Sequence, residues 1–161
     1  MSEPVIRNAT KTDLPKIKEI IDHSFPRFFR YFALHSVSDF SQPTILAKSD
    51  EKVAGFAKLI NFTVGETKCG CILWIAVHPS YHRKGFGVSL INAGVSFLKE
   101  SGANAIFAST QRGNKGALAA FGRAGFERTG FLGLWRLFGW CLFEFYSDIW
   151  YAPSEIVLMY V

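Results

Sequence analysis

Apolar positions along this chain switch between a period near two and a period near 3.6, and each switch marks a new element. Val5-Ile6-Arg7 reads as a short first strand, after which Leu14, Ile17, Ile20 and Ile21 recur at helical spacing from a start at Thr12 or Asp13. Lys16, Lys18, Glu19 and Asp22 fill the opposite face of that helix. Ser24, just ahead of Phe25-Pro26, reads as a fresh N-cap for a second helix carrying Phe29, Phe32 and Ala33. Thr44 to Lys48 and Val53 to Phe62 are predicted strands joined by the polar turn Ser49-Asp50-Glu51, and a turn at Gly65-Glu66 leads into a strand from Cys71 to Val77. Phe86, Leu90, Ile91, Val95 and Leu98 then return to the helical period, predicting a helix from about Gly85 to about Lys99 that stops at Ser101-Gly102. A strand from Asn104 to Ser109, a helix from Asn114 to Arg123 closed by Gly125, and a last strand from Ile156 to Tyr160 complete the order.

The stretch from Gly130 to Ser154 obeys neither period cleanly. Phe131, Trp135, Phe138, Leu142, Phe145 and Ile149 form a helical stripe, while Leu137, Trp140 and Phe143 lie off it. A segment greasy on several sides is expected to bury those residues somewhere. Core or dimer packing ranks ahead of an acceptor-pocket lid as its role.

Between the strand ending at Val77 and the long helix lies a basic, glycine-containing loop, His82-Arg83-Lys84-Gly85-Phe86-Gly87. The first amides of a helix have no partner within it and carry the positive end of its dipole, and Gly85 and Gly87 leave no side chain to hold an anion away. Arg83 and Lys84 add charge, so a diphosphate suits the loop. A dinucleotide fold would need glycine where Leu90 stands, and no Walker string occurs.

This loop resembles the coenzyme A pyrophosphate motif of the GNAT family of N-acetyltransferases, Gln/Arg-x-x-Gly-x-Gly/Ala, with His82 in the first position. A second signature follows: Asn114-Lys115-Gly116-Ala117, then Phe121, then Gly125-Phe126. The resemblance spans about Val5 to Phe126 and resumes at Ile156. It implies an α/β (α+β) fold: a mixed central sheet of about seven strands, splayed between the fourth and fifth, with about four flanking helices. It also implies acetyl-coenzyme A as acyl donor. The cofactor contacts it implies are Ile75, Ala76 and Val77 for pantetheine, His82 to Val88 for the diphosphate, and Asn114, Ala117 and Phe121 from the second motif. A backbone amide aimed at the thioester oxygen would supply the oxyanion contact.

The departures lie in the acid and base. The tyrosine that often protonates the departing thiolate in the family maps onto Phe121, and the glutamate base of N-terminal peptide acetyltransferases maps onto Ser109. Losing a general acid typically costs about 10²–10⁴ in rate, while positioning of the two substrates persists. His78 is the candidate replacement base, with Glu66, Glu144 or Tyr146 acting through water as further candidates. The reading is an acetyl-coenzyme A-dependent N-acetyltransferase whose acceptor is a primary amine. The alternative is a catalytically impaired acyl-coenzyme A sensor or scaffold.

Composition bounds the rest. At 161 residues, 49% hydrophobic and 19% charged, the chain suits one globular domain over residues 1–161 with an aromatic-rich insertion at about 130–154. A net charge of +5 is scattered and matches no nucleic-acid motif, so no nucleic-acid partner is expected. Cys69, Cys71 and Cys141 complete neither a disulfide set nor a metal set, and no metal is expected. Met1 to Lys11 carries no apolar run of the kind that directs export, and no apolar run is long enough to span a bilayer, which makes a cytoplasmic protein the expectation. A homodimer is compatible with the aromatic segment.

Overall fold

Alternating and apolar runs bounded by polar turns become seven strands of one mixed sheet in the computed structural model, which describes residues 3–161. Met1 and Ser2, the start of the stretch expected to lack an export signal, lie outside the described residues. The strands are β1 (Val5–Asn8), β2 (Thr44–Ser49), β3 (Lys52–Val64), β4 (Thr67–Val77), β5 (Ala105–Gln111), β6 (Phe126–Thr129) and β7 (Glu155–Tyr160), in the order β1-β2-β3-β4-β5-β7-β6. The helices are α1 (Leu14–Ser24), α2 (Arg27–Ser38), α3 (Phe86–Glu100), α4 (Lys115–Arg123), α5 (Phe131–Phe138) and α6 (Leu142–Asp148). This is the mixed α/β architecture that the sequence resemblance implied. β5 and β7 pair antiparallel, whereas β4 and β5 run parallel with Cys69 opposite Ala105 and Ile72 opposite Ala108. That parallel ladder ends there, although β4 continues to Val77 and β5 to Gln111, which is the expected splay.

Several boundaries differ from expectation for identifiable reasons. Ser24 closes α1 instead of capping α2. Phe25, restricted by the proline after it, is extended at φ −116° and ψ 145°, so the chain leaves one helix and restarts at Arg27 behind Pro26. A 3-10 turn over Lys11–Asp13 precedes α1, because the Asp13 carboxylate takes the Thr10 amide at 2.8 Å and both Arg7 guanidinium nitrogens at 2.7 and 2.8 Å. β4 starts at Thr67, four residues before the expected Cys71; Gly70 blurred its alternation, and a Cβ there would stand 2.9 Å from the Leu98 side chain.

The aromatic segment folds as two helices broken by a 3-10 turn at Gly139–Cys141, where Gly139 adopts φ +53°, so six α-helices stand among the described residues where about four were expected. Its buried stripe is Leu134, Phe138, Leu142, Phe145 and Ile149; Phe131, expected on it, is exposed and stacks on Trp135. Leu137, Trp140 and Phe143 do not enter the core of the single chain. They are 41%, 80% and 65% exposed, because one face of two short helices satisfies the core and leaves the others to solvent.

The chain divides into two compact units, Met1–Leu59 with Trp74–Gly94, and Ile60–Leu73 with Val95–Val161. In the first, Ile17, Ile20 and Ile21 of α1 and Ala33 and Val37 of α2 bury against Leu46, Phe56 and Ala76. Lys58, 1% exposed, ends its ammonium against the carbonyls of Asp39 at 2.5 Å and Gln42 at 2.6 Å, and burial lowers its pKa. In the second, Val64, Cys69, Cys71, Phe107 and Val157 meet the buried stripe of α5 and α6. No helix among the described residues is long and apolar enough to cross a membrane.

Candidate functional site

The loop after β4 is tied down by its own side chains. The His78 amide bonds the Ala54 carbonyl on β3 at 2.8 Å, and a 3-10 turn over Pro79–Tyr81 reverses the chain. His82 then reaches back to donate from Nε2 to the Val77 carbonyl at 2.7 Å, so the histidine standing in the family's Gln/Arg position fastens the loop to the end of the strand. Lys84 donates to the Ser80 carbonyl at 3.1 Å and lies over the Tyr81 ring, which meets Phe86 edge-on. Only Phe86 of this loop is buried, at 4% exposure, and it anchors the start of α3.

That bracing fixes an unusual backbone. Arg83 stands at φ +60° and Gly85 at φ +85°, left-handed positions flanking Lys84; a non-glycine residue held there typically costs about 1–3 kcal/mol. The α3 ladder begins with the Ser89 amide donating to the Gly85 carbonyl at 3.0 Å, so the amides of Phe86, Gly87 and Val88 have no acceptor within the helix. A Cβ on Gly85 would meet nothing within 4 Å, and one on Gly87 would touch only Val77 at 3.9 Å, so open space adjoins the loop. Three amides without helical acceptors, two left-handed residues and two cationic side chains fit a diphosphate. The residues present therefore match the phosphate end of coenzyme A.

Beneath the loop, Ile75, Ala76 and Val77 form the last turnless stretch of β4. Gly55 of β3 lies so close that a Cβ would stand 2.7 Å from the Ala76 carbonyl. Trp74 precedes them, flanked by Phe25 at 5.4 Å and Phe29 at 6.4 Å, and its indole N–H is buried with no hydrogen-bond partner. An orphaned donor of that kind typically costs about 1–3 kcal/mol, which a ligand offering a lone pair would recover.

The candidate bases fare differently. His78 Nδ1 accepts the Ser80 amide at 3.2 Å, so in the neutral ring its lone pair is engaged and the proton sits on Nε2. Its ring faces His23 at 5.3 Å. Glu66 lies exposed in the β3–β4 turn and Glu144 exposed in the first turn of α6. Tyr146 is half-buried beside Tyr151 at 4.7 Å, and burial raises its pKa.

In the second unit, Asn114 caps α4 by accepting the Ala117 amide at 3.1 Å, and Phe121 is buried against Phe126 at 5.1 Å. Burial pushes the Cys69 thiol up to about 11 and the Cys71 thiol further, which leaves both as apolar filling. No group of three or more His, Cys, Asp or Glu among the described residues is arranged to hold a metal ion. Sequence reasoning missed two residues. Trp74 was hidden inside a strand pattern. Glu155 was hidden because its partner Ser109 is 46 positions away, a proximity that only the β5–β7 register creates.

A family model described as the acetyltransferase (GNAT) family matches residues 7–126. An uncharacterized N-acetyltransferase of Methanocaldococcus jannaschii is 27% identical over 136 residues, covering 76% of this chain and 60% of that protein, so the chain spans less than two thirds of that relative. A GNAT-family protein of Desulfovibrio desulfuricans is similar in structure with a TM-score of 0.74 at 18% identity, covering 98% of both chains. The PaiA N-acetyltransferase of Thermoplasma acidophilum, crystallised in complex with coenzyme A, is similar with a TM-score of 0.71 at 13% identity, covering 99% of both. At such identities the two structures speak for the fold.

Proposed function

Since the chain belongs to the GNAT acetyltransferase family, we propose that it is an acetyl-coenzyme A-dependent N-acetyltransferase that moves the acetyl group to a primary amine by direct attack within a ternary complex. The observation that carries this reading is the braced loop, whose Phe86, Gly87 and Val88 amides lack helical acceptors and which leaves open space at Gly85 beside Arg83 and Lys84. When bound, acetyl-coenzyme A supplies the activated acyl group. The chain's own residues then bind and orient. The loop from His82 to Val88 would hold the diphosphate, and the backbone of Ile75 to Val77 would hold pantetheine as an added strand and aim an amide at the thioester oxygen. Asn114, Ala117 and Phe121 keep their cofactor roles as proposals, with Asn114 already spending one lone pair on its cap. The unpartnered Trp74 indole N–H would meet a lone pair on the acceptor.

A second reading is favoured by one observation. Phe121, where the family often carries a tyrosine, is 1% exposed and has no proton to give, as a sensor or scaffold that binds acyl-coenzyme A without turnover would allow. One pair of measurements separates the two. Calorimetry with coenzyme A is expected to show binding under both, and thiol release from acetyl-coenzyme A in the presence of amines, polyamines and short peptides only under the first. No binding at millimolar coenzyme A would overturn both readings.

A further inference from the structure

We infer that the exposed aromatic face of α5 and α6 is the contact between two copies of this chain, laid antiparallel so that Arg136 of each copy meets Glu144 of the other. Every residue involved lies in the second compact unit, and none belongs to the loop proposed to hold coenzyme A. The buried stripe of Leu134, Phe138, Leu142, Phe145 and Ile149 already fastens these helices to the strands beneath. Away from it stand Phe131 at 55%, Leu132 at 71%, Trp140 at 80% and Phe143 at 65% exposure. They form one surface. Phe131 stacks on Trp135 at 5.8 Å, and Trp135 meets Trp140 edge-on at 5.0 Å. Leu132 lies one helical turn before Trp135, and Phe143 one turn beyond Trp140. Contiguous apolar surface of this extent marks an interaction site.

Area and charge both select a second copy as the occupant. Scaled by their exposures, the four side chains offer on the order of 500 Å² of apolar surface. Homodimer interfaces are about 65% apolar, so this corresponds to roughly 800 Å² per partner, the size of a standard specific contact. Arg136 stands four residues before Trp140 and Glu144 four after it, both exposed, and neither joins an ion pair among the described residues. A two-fold axis passing beside Trp140 sends each of these charges onto the other, which makes the patch complementary to itself. Burial, and then the Glu144 charge one turn away, raise the pKa of Asp148, a crowding that an incoming guanidinium would ease. A lipid surface fits less well. From Gly130 to Ser154 the chain carries one arginine, no lysine and two acidic residues, the reverse of the basic polar face of a membrane-surface helix.

Sedimentation velocity on the full chain tests this contact. The wild type is expected at about twice the 18.0 kDa of one chain. Trp140→Glu should keep the circular dichroism of the fold and raise the dimer dissociation constant at least ~30-fold. Arg136→Glu and Glu144→Arg should each weaken the dimer on the order of 10-fold, because each sets like charges face to face twice. Mixing those two single variants should restore it, since every reversed charge then faces an opposite one.

A wild type that stays monomeric at about 100 μM, where a contact of this size is populated, would overturn the proposal. So would a monomer that co-sediments with phosphatidylcholine vesicles and loses them in Trp140→Glu, which would give the surface to lipid. A dimer indifferent to Trp140→Glu, or single charge variants that do not recover on mixing, would place the contact elsewhere and overturn it as well.

Discussion

The loop from His82 to Val88 and the Ser109–Glu155 hydrogen bond are made from different material. The loop offers backbone: three amides without helical acceptors, two left-handed residues and room where a Cβ would be. The pair offers side chains, and its geometry exists only because β5 and β7 lie side by side in one register. A backbone site is written in a few adjacent residues and fails when anything fills it. A register site is written in distant residues and fails one functional group at a time.

The largest effect expected from that contrast comes from putting a charge into the backbone site. Gly87→Glu should place a carboxylate among the amides proposed to hold a diphosphate. Like charges brought together cost several kcal/mol, so coenzyme A affinity should fall by at least ~100-fold in calorimetry; a loss below about 5-fold would mean the phosphates bind elsewhere.

Next come two glycines of the sheet, Gly55 on β3 and Gly70 on β4. A Cβ on Gly55 meets the Ala76 carbonyl, backbone that cannot swing away, whereas a Cβ on Gly70 meets the side chain of Leu98, which can. Gly55→Ala should destabilise by about 2 kcal/mol and Gly70→Ala by about 1 kcal/mol in urea melts. Only the first should weaken coenzyme A binding, since it moves Ala76. Reversal of that order would show that β4 yields more easily than the interior of α3.

The smallest effect sharpens the comparison by probing a charge that serves structure alone. Arg7, mainly through its hydrogen bonds, holds the Asp13 carboxyl well below the usual carboxylate range. A depressed folded-state pKa contributes stability above the unfolded value of about 3.9, and that contribution is lost as pH falls through the acid range. Arg7 is 38% exposed, so solvent screening trims the pair, and Asp13→Asn should cost about 1–2 kcal/mol at pH 7. The gap between variant and wild type should close as melts are run from pH 5 toward pH 2. A gap that stays constant would locate the effect in the Thr10 cap instead.

The same contrast governs how much was legible beforehand. Helical spacing placed α1, α3 and α4 within a few residues, and Gly85-Phe86-Gly87 announced the loop, because both depend on neighbours in the chain. Ser24 misled because a local cap signal competed with the conformational limit that Pro26 imposes on Phe25. Phe131 misled because spacing gives the period of a stripe and leaves its phase to tertiary packing, which chose Leu134. His78 stays a candidate base, and the Ser80 amide that engages its Nδ1 could not be read from the sequence. The Ser109–Glu155 hydrogen bond carried no local sign at all.

If the chain acylates amines as proposed, it must coexist with its own lysines. Lys58, roofed by the carbonyls of Asp39 and Gln42 and closed to solvent, presents no free nitrogen to an activated acyl group. Self-modification would therefore fall on exposed lysines such as Lys84, and the internal strut under β3 would outlast repeated turnover with its charge intact.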